Sequence, residues 1–162
     1  MDAGHPEMSG LSHFDDQGDA RMVDVSAKSS SRRTARAHVF VRMNTVVIQA
    51  LDANPKGNPL EVARVAGILA AKKTAELIPM CHPLGLTHAD VEVHVEEDGI
   101  RIFATAATSG PTGVEMEAMT AAAVAALTVY DMTKALDKGI EIQDLWLLEK
   151  TGGKSGEWRR TN

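Results

Sequence analysis

The chain has 162 residues, which is the length of one domain with a hydrophobic core of its own. Its composition, 44% hydrophobic and 24% charged residues, excludes a wholly disordered chain, a collagen-like chain and a disulfide scaffold. A net charge of −5 argues against a nucleic-acid-binding protein, because such proteins need a basic face to neutralise phosphates.

The single cysteine, Cys81, cannot form a disulfide within the chain, which is typical of a protein from a reducing compartment. No apolar run approaches the ~20 residues that a membrane helix needs, and the polar N-terminus lacks the apolar core of a signal peptide. We therefore expect a cytoplasmic protein with no membrane partner.

The first third of the chain begins with polar residues and then alternates. We expect residues 1–20 to form a flexible arm, residues 22–26 a short strand and residues 28–33 a loop. Residues 35–43 carry an apolar side chain at every second position, which predicts a half-buried strand. The pattern over residues 45–51 predicts a short helix.

The next element is a predicted helix that begins at Asn58 and Pro59 and runs to residue 77. Asn is a good N-cap, and Pro suits the first helical position. The helix carries a broad apolar stripe that we expect to face the core, formed by several alanines together with Leu60, Val62, Val65 and Leu69. Two prolines then bracket a predicted loop over residues 79–83.

Two alternating segments, residues 88–96 and 100–107, predict a pair of strands. Asp98-Gly99 between them is a strong hairpin signal, so the two strands are expected to be antiparallel neighbours. Ser109-Gly110-Pro111 predicts a turn after the second of them.

A long helix and a last strand complete the predicted elements. Thr112 and Glu115 match a capping box at the start of an Ala-rich helix over residues 113–138. Residues 140–149 predict a strand, and residues 151–162 a flexible Gly- and Lys-containing tail.

The predicted element order is therefore β-α-β-β-α-β. This order is typical of the α+β, ferredoxin-like split βαβ fold, in which two main helices cover one face of an antiparallel sheet. We expect a single domain over residues 21–150 between the arm and the tail. The fold by itself does not indicate a function.

The loop between the two prolines is the first place where chemistry is expected. Cys81 and His82 are adjacent on a stiff connection, and they are either functional groups of a site or a small buried cysteine beside a surface histidine. His82, His88 and His94 recur every six residues, but no second cysteine or paired-ligand spacing supports a zinc site.

The long helix carries two groups of acidic and basic residues. Asp131 and Lys134 lie three residues apart on one face, as either an acid–base pair or an ordinary surface ion pair. Glu117 lies 14 residues before Asp131, a separation of roughly 21 Å along a helix, so one small site cannot easily use both from one chain. Two antiparallel copies of the helix would bring them together, and alanines at 121–123 and 125–126 would permit that close approach.

The tail contains Lys150 and Lys154 on either side of Gly152-Gly153, a pattern that can wrap an anion or simply be disordered. It lacks the spacing of a P-loop. Further cations, Arg33 and Lys56, also lie in predicted loops. Cations in the loops of an acidic chain favour a compact polyanion such as a triphosphate over a long nucleic acid.

Five segments of the chain together resemble the signature of the cyclic pyranopterin monophosphate synthase family, also called MoaC, of molybdenum cofactor biosynthesis. The segments are residues 22–26 (MVDVS), 78–84 (IPMCHPL), 112–118 (TGVEMEA), 127–132 (LTVYDM) and 152–156 (GGKSG). They occur in order, and the resemblance covers about residues 11–158.

The resemblance implies a lyase that converts 3′,8-cyclo-7,8-dihydroguanosine 5′-triphosphate into cyclic pyranopterin monophosphate and releases diphosphate. It implies no required cofactor and no protein-bound metal, although the triphosphate can carry Mg²⁺. It also implies a homohexamer, a trimer of dimers with active sites at the dimer interface, that binds neither nucleic acid nor membrane.

Matched motif by motif, Asp131, Lys134 and Lys56 take the places of the family's catalytic residues. The positions implied to contact substrate are Met80, Cys81, His82, Met116 and Glu117, with Glu115, Arg33, Lys150 and Lys154 as further candidates. Three alternatives stay open: a catalytically inactive member of the family, a non-catalytic ferredoxin-like nucleotide-binding module, and an RNA-recognition module. The last of these needs stacking aromatics on the central strands, where residues 88–96 and 100–107 supply only Phe103.

Overall fold

The fold was obtained as a computed structural model, and the structure describes residues 13, 15 and 17–161. Most of the predicted N-terminal arm, residues 1–12, 14 and 16, lies outside the described residues, as does residue 162. The strands are β1 (Ser31–Arg42), β2 (Leu86–Glu96), β3 (Gly99–Gly110), β4 (Glu141–Thr151) and β5 (Trp158–Arg159). The helices are α1 (Thr45–Gln49), a 3₁₀ turn (Leu51–Ala53), α2 (Pro59–Lys72), α3 (Thr74–Leu77) and α4 (Glu115–Thr133).

The five strands form one sheet in the order β2-β3-β1-β4-β5, and every pairing is antiparallel. The first four strands have the order expected of a split βαβ arrangement, because α2 and α4 each connect strands that are not neighbours. The predicted α+β, ferredoxin-like fold is thus confirmed. Strand β5, which pairs with Glu149 and Lys150 of β4, is an addition that the sequence did not indicate.

The core is aliphatic and lies between the sheet and the two long helices. Alternate residues of β1, such as Val39 and Val41, and of β3, such as Ile100 and Ile102, are fully buried against α4. The alternation predicted for residues 35–43 and 100–107 therefore identified the correct buried face.

Small residues bring α2 and α4 close together. A Cβ atom added at Gly67 would lie 2.8 Å from Val91 Cγ2 and 2.9 Å from the main-chain oxygen of Ala121. Ala121, like Ala125, is buried against α2 and the sheet. The expectation that these alanines face a second copy of the chain is therefore wrong for Ala121, Ala122, Ala125 and Ala126, which lie in the chain's own core, while Ala123 is half-buried.

The predicted apolar stripe of α2 is confirmed for Leu60 and for most of its alanines, but it is wrong for the two valines and Leu69. Leu60 packs at the core, but Val62, Val65 and Leu69 are exposed, while Ala63, Gly67, Ala70 and Ala71 are buried. Close helix packing explains the difference, since only small side chains fit between α2 and its neighbours.

Several predicted boundaries differ from the structure. Residues 22–26 pair with no strand, and residues 31–33, predicted as loop, open β1 because the partner strand β3 continues to Gly110. The turn predicted at 109–111 therefore begins only after β3 ends.

The long helices also differ in their ends. The helix predicted to reach residue 77 is interrupted at Lys73, and α4 ends at Thr133 rather than at residue 138. The predicted capping box is absent, because the N-cap of α4 is Val114, without a side-chain hydrogen bond. The Asn58 cap is confirmed, since its side chain accepts from the N–H groups of Leu60 and Glu61. Within the described part of the chain, none of the helices combines the length and apolarity needed to cross a bilayer.

Candidate functional site

A cavity of about 740 Å³ opens at the N-terminal end of α4. Three segments form its walls: the loop of residues 78–84, the extended segment of residues 23–28, and residues 112–117 around the start of α4. Its lining is mainly apolar and includes Val23, Val25, Ile78, Pro79, Met80, Cys81, Leu84 and Met116, with His13, Lys28, His82, Thr112, Gly113, Glu115 and Glu117 as polar or small members. We call it the ring cavity, for its apolar walls suit a planar ring.

The segment of residues 23–28 is a wall of this cavity and not a strand. His82 Nε2 lies 2.7 Å from the main-chain oxygen of Val23, which can only accept, so the imidazole donates from Nε2. Asp24 Oδ1 accepts from the Ser26 N–H at 2.9 Å, and the Lys28 N–H donates to the Val25 oxygen at 3.0 Å. His82, implied to contact substrate, therefore also fastens this wall and leaves Nδ1 as its free ring nitrogen.

Glu117 is the buried carboxyl group of the ring cavity, with 4% of its surface exposed. Burial raises the pKa of Glu117, and the nearby negative charge of Glu115 raises it further. Burial and the charge of Glu117 in turn raise the pKa of the Cys81 thiol. The cavity therefore holds a carboxyl group that accepts a proton readily and a cysteine that stays a thiol at neutral pH.

A second cavity, of about 620 Å³, adjoins the first and has a different chemistry. Lys28, Arg33 and Lys154 supply three cations to its walls, together with small polar residues: Ser29, Ser31, Thr112, Gly113, Gly153 and Ser155. Lys28, Thr112 and Gly113 line both cavities, so the two adjoin at these residues. We call the second one the anion cavity.

Arg33 is held in the anion cavity by main-chain oxygens and not by a carboxylate. Its Nε donates to the Gly110 oxygen at 3.0 Å and its Nη2 to the Pro111 oxygen at 3.1 Å. A side chain at Gly153, which has φ +73°, would collide with this guanidinium. The glycines of the tail thus let the backbone that carries Lys154 pass directly over Arg33.

Lys150 has a different position from the other cations. Its Nζ lies 2.7 Å from Glu115 Oε1, and both side chains are half-buried. This ion pair ties β4 to the first turn of α4, where the carboxylate also complements the helix dipole. Lys150 lines neither cavity.

The opposite end of α4 carries a second polar cluster, formed by Asp131, Lys134 and Lys56. Lys134 Nζ lies 2.6 Å from Asp131 Oδ1, and Lys56 Nζ donates to the main-chain oxygen of Asp131 at 3.4 Å. The hydrogen bond from Lys134 lowers the pKa of Asp131, and the same bond raises the pKa of Lys134. Both side chains are exposed, so this end of the helix is open to solvent or to a partner.

The predicted site residues therefore form two groups in one chain. Met80, Cys81, His82, Met116 and Glu117 surround the ring cavity, and Arg33 and Lys154 the adjoining anion cavity. The predicted catalytic residues form the other group, roughly 21 Å away along α4.

Sequence reasoning missed Val23, Val25 and Lys28 as site residues. The pattern of residues 22–26 suggested a strand, and Lys28 fell in a predicted polar loop. The available signal for the two valines was the resemblance of residues 22–26 to a family motif. Among the described residues no group of three or more His, Cys, Asp or Glu side chains is placed to hold a metal ion.

Comparison with known proteins gives a consistent result. The family model described as "MoaC family" matches residues 22–153. The cyclic pyranopterin monophosphate synthase of Staphylococcus carnosus (strain TM300) is 52% identical over 158 residues, which cover 94% of this chain and 98% of the relative. The enzyme of the same name from Streptomyces avermitilis is 51% identical, with 98% of this chain and 94% of the relative covered. The one from Geobacillus kaustophilus is 53% identical, with 94% of this chain and 98% of the relative covered.

Proposed function

The chain belongs to the MoaC family, and we propose that it acts as a cyclic pyranopterin monophosphate synthase in molybdenum cofactor biosynthesis. The reaction converts 3′,8-cyclo-7,8-dihydroguanosine 5′-triphosphate into cyclic pyranopterin monophosphate and releases diphosphate. The observation that carries the proposal is the pair of adjoining cavities, one mainly apolar and one lined by three cations. Such a pair fits a ligand with a fused ring at one end and a triphosphate at the other.

The ring cavity provides the groups that a rearranging purine ring needs. Apolar side chains such as Met80 and Met116 can cover the faces of the ring and exclude water. Opening the purine ring and closing the pyranopterin ring demand several proton transfers. Glu117, whose pKa is raised by burial, holds a proton more readily than an exposed carboxyl group and can exchange it with the ring.

The cluster of Asp131, Lys134 and Lys56 supplies the second set of proton-transferring groups. Because Asp131 raises the pKa of Lys134, this lysine is an ammonium in the free protein and can donate a proton. A substrate group that displaced the carboxylate of Asp131 would lower that pKa again and let the amine return as a base.

The distance between the two groups is the basis for a site shared by two chains. Glu117 and Asp131 lie on nearby faces of α4 but roughly 21 Å apart along the helix. Between them the exposed side of α4 presents Leu127, and Met116 is exposed at its start. An antiparallel second copy would cover this apolar ridge and bring its own Asp131 and Lys134 to the ring cavity. We therefore place the active sites at dimer interfaces, within a hexamer that is a trimer of dimers.

The alternative of an RNA-recognition module has no support from the outer face of the sheet. That face holds Phe40, Phe103 and Trp146, but the chain's own arginines cover these rings. Arg36 lies 4.6 Å from the ring centroid of Phe103, Arg101 5.1 Å from that of Phe40, and Arg160 4.6 Å from that of Trp146. Rings already stacked in this way are not free to stack on bases.

The test is conversion of the cyclised triphosphate by the purified protein. We expect cyclic pyranopterin monophosphate, identified by mass spectrometry, and one diphosphate per product molecule. Binding of the triphosphate without diphosphate release would instead indicate the non-catalytic nucleotide-binding module.

A further inference from the structure

The C-terminal end of α4 is capped by a turn that comes from a distant part of the chain, residues 54–57, which we call the cap turn. The last carbonyl groups of an α-helix have no partners within the helix. Here the Met132 oxygen accepts from Asn54 Nδ2 at 2.8 Å, and the Asp131 oxygen accepts from Lys56 Nζ at 3.4 Å. The cap turn therefore contacts the same end of the helix that carries Asp131 and Lys134.

The cap turn is held in one conformation by its own backbone. The Gly57 N–H donates to the Asn54 oxygen at 3.1 Å, and the ring of Pro55 fixes the φ angle between them. Gly57 has φ +99°, a conformation that glycine adopts without strain. The position of the Lys56 main chain consequently follows the position of Asn54.

The Asn54 side chain is half-buried, whereas residues 52, 53 and 55–58 are exposed. Because a carbonyl oxygen can only accept, the NH₂ group of Asn54 must face Met132, which leaves its amide oxygen for the protein's own donors. That oxygen accepts from the Lys56 N–H at 2.9 Å. One amide thus joins the main chain of Lys56 to the main chain of α4 through two hydrogen bonds.

We propose that Asn54 is a positioning residue, which holds Lys56 against Asp131 and Lys134 by tying the cap turn to the end of α4. A lysine side chain has four rotatable bonds, so its ammonium keeps one place only if its main chain is fixed and its far end has a partner. Proton transfer is sensitive to such placement, since an error of about 1 Å can cost about 100-fold in rate. The assignment rests on the proposed function, in which Lys56 takes part in proton transfer.

The first test separates the rate of the reaction from substrate binding. We expect Asn54→Ala to lower kcat about tenfold or more and to leave KM within about threefold of wild type, because Asn54 lines neither cavity. Asn54→Asp is the second variant. Its carboxylate can still accept from the Lys56 N–H, but it has no donor for the Met132 oxygen, so kcat should fall here too. Measurement of product formation against substrate concentration gives both constants.

Asn44→Ala is the matched control for lost hydrogen bonds near the same end of α4. The Asn44 side chain also makes two of them, since it accepts from the Val47 N–H at 3.0 Å and donates to Asp137 Oδ2 at 2.8 Å. Neither bond involves Lys56. We expect Asn44→Ala and Asn54→Ala to lower the melting temperature by similar amounts, about 2–4 °C each, but Asn44→Ala should keep the wild-type kcat.

A double-variant comparison tests whether Asn54 acts through Lys56. Single-turnover rates with excess protein are measured for Lys56→Ala and for Lys56→Ala combined with Asn54→Ala. If Asn54 serves to place Lys56, the second change should have no further effect once the lysine side chain is gone. A further loss as large as that caused by Asn54→Ala alone would identify a separate structural role.

The assignment would also be overturned by a wild-type kcat in Asn54→Ala or Asn54→Asp, or by an equal loss of kcat in Asn44→Ala. Failure of the proposed function has a different signature, namely a wild-type protein that forms no cyclic pyranopterin monophosphate at all.

Discussion

Two carboxyl groups of α4, Glu117 and Asp131, are shifted in opposite directions by their surroundings. Burial in the ring cavity raises the pKa of Glu117, whereas the hydrogen bond from Lys134 lowers the pKa of Asp131. One helix thus presents a carboxyl group that is readily protonated and another that stays ionised. Pairs of groups whose pKa values are pushed apart are typical of sites that move protons.

The Asp131–Lys134 pair can be tested by truncation. We expect Asp131→Ala and Lys134→Ala each to lower turnover at least ~100-fold, the scale of a lost general acid or base. Both side chains are exposed, so the variants should keep the wild-type melting temperature within a few degrees. The exposed Lys138, outside the cluster, serves as the control, and Lys138→Ala should leave turnover unchanged. Near-normal turnover in either member of the pair would identify it as an ordinary surface ion pair.

The pKa of Glu117 makes the stability of the protein depend on pH in a stated direction. Below the ordinary carboxyl pKa the group is protonated in both the folded and the unfolded chain, so the stability has its full value and does not change with pH. As the pH rises, the unfolded chain ionises first, so the stability contributed by the neutral buried carboxyl is lost as the pH passes the raised, folded-state pKa. Glu117→Gln removes this dependence.

We therefore expect Glu117→Gln to melt at a higher temperature than wild type at pH 8, with the difference shrinking toward pH 4. Differential scanning fluorimetry across this range measures it, and Glu97→Gln, at an exposed turn position, controls for loss of a surface carboxylate. A constant difference between pH 4 and pH 8 would show that burial does not perturb Glu117.

At the scale of elements, close packing of α2 against α4 and β2 is the feature most sensitive to side-chain size. Gly67 has Val91 Cγ2, the Ala121 oxygen and Ala125 Cβ all within 3.2 Å of the position that a Cβ would occupy. Overpacking of such a contact costs about 1–3 kcal/mol. This cost is at least as large as the ~1 kcal/mol of helix propensity that is gained when alanine replaces glycine.

Gly67→Ala should consequently lower the free energy of unfolding, and Gly67→Val should lower it further. Urea denaturation measures both. Gly85→Ala is the control, because a Cβ there meets nothing within 4 Å, and its midpoint should stay at the wild-type value. A Gly67→Val protein as stable as wild type would mean that the two helices are free to separate.

The elements that could be predicted from the sequence are those whose pattern coincides with their packing. Residues 35–43 and 100–107 alternate because one face of each strand is buried, and the hairpin at Asp98-Gly99 follows from its turn chemistry. Residues 22–26 alternate equally well, but a loop and the start of α4 lie against them, and no strand does. Periodicity records which side chains are covered and not what covers them.

Most residues of the candidate site could be predicted, but from family resemblance and not from periodicity. The resemblance identified most residues of both cavities, since those motifs occur as continuous segments. Lys28 could not be singled out in this way, because only the structure shows that a turn brings it to the walls of both cavities. The larger members of the α2 stripe, Val62, Val65 and Leu69, were placed wrongly for a similar reason, because close packing lets only the small residues of α2 face the other helix.

At the scale of the whole molecule, the single chain leaves functional groups at opposite ends of α4 and apolar side chains exposed between them. Met116 and Leu127 on α4, and Val62, Val65 and Leu69 on α2, are exposed in the isolated chain. An assembly that covers both helices would bury these surfaces.

We expect a homohexamer in solution. Light scattering should give a mass about six times the 17.3 kDa of the chain, on the order of 100 kDa. A protein that remained a monomer at micromolar concentration would exclude the hexamer and the shared site with it. Leu127→Glu, which puts a charge on the exposed ridge of α4, should shift the mass downward, while Leu136→Glu, beyond the end of α4, should not.

Sharing of the site between chains can be tested by mixing two inactive variants, Glu117→Ala and Asp131→Ala. If one site takes Glu117 from one chain and Asp131 from its partner, a mixed dimer has one site with both changes and one site with neither. Random pairing makes about half of the dimers mixed, each with one intact site of two, so about a quarter of the wild-type activity should return. If each site lay within one chain, every site would keep one altered residue and mixing would restore nothing.

Recovery also requires exchange of subunits, so mixing preformed oligomers should give a lag that disappears when the two variants are co-expressed. Absence of recovery after exchange has been verified by mass spectrometry would place Glu117 and Asp131 in the same chain's site or in separate sites, in spite of the roughly 21 Å between them along α4.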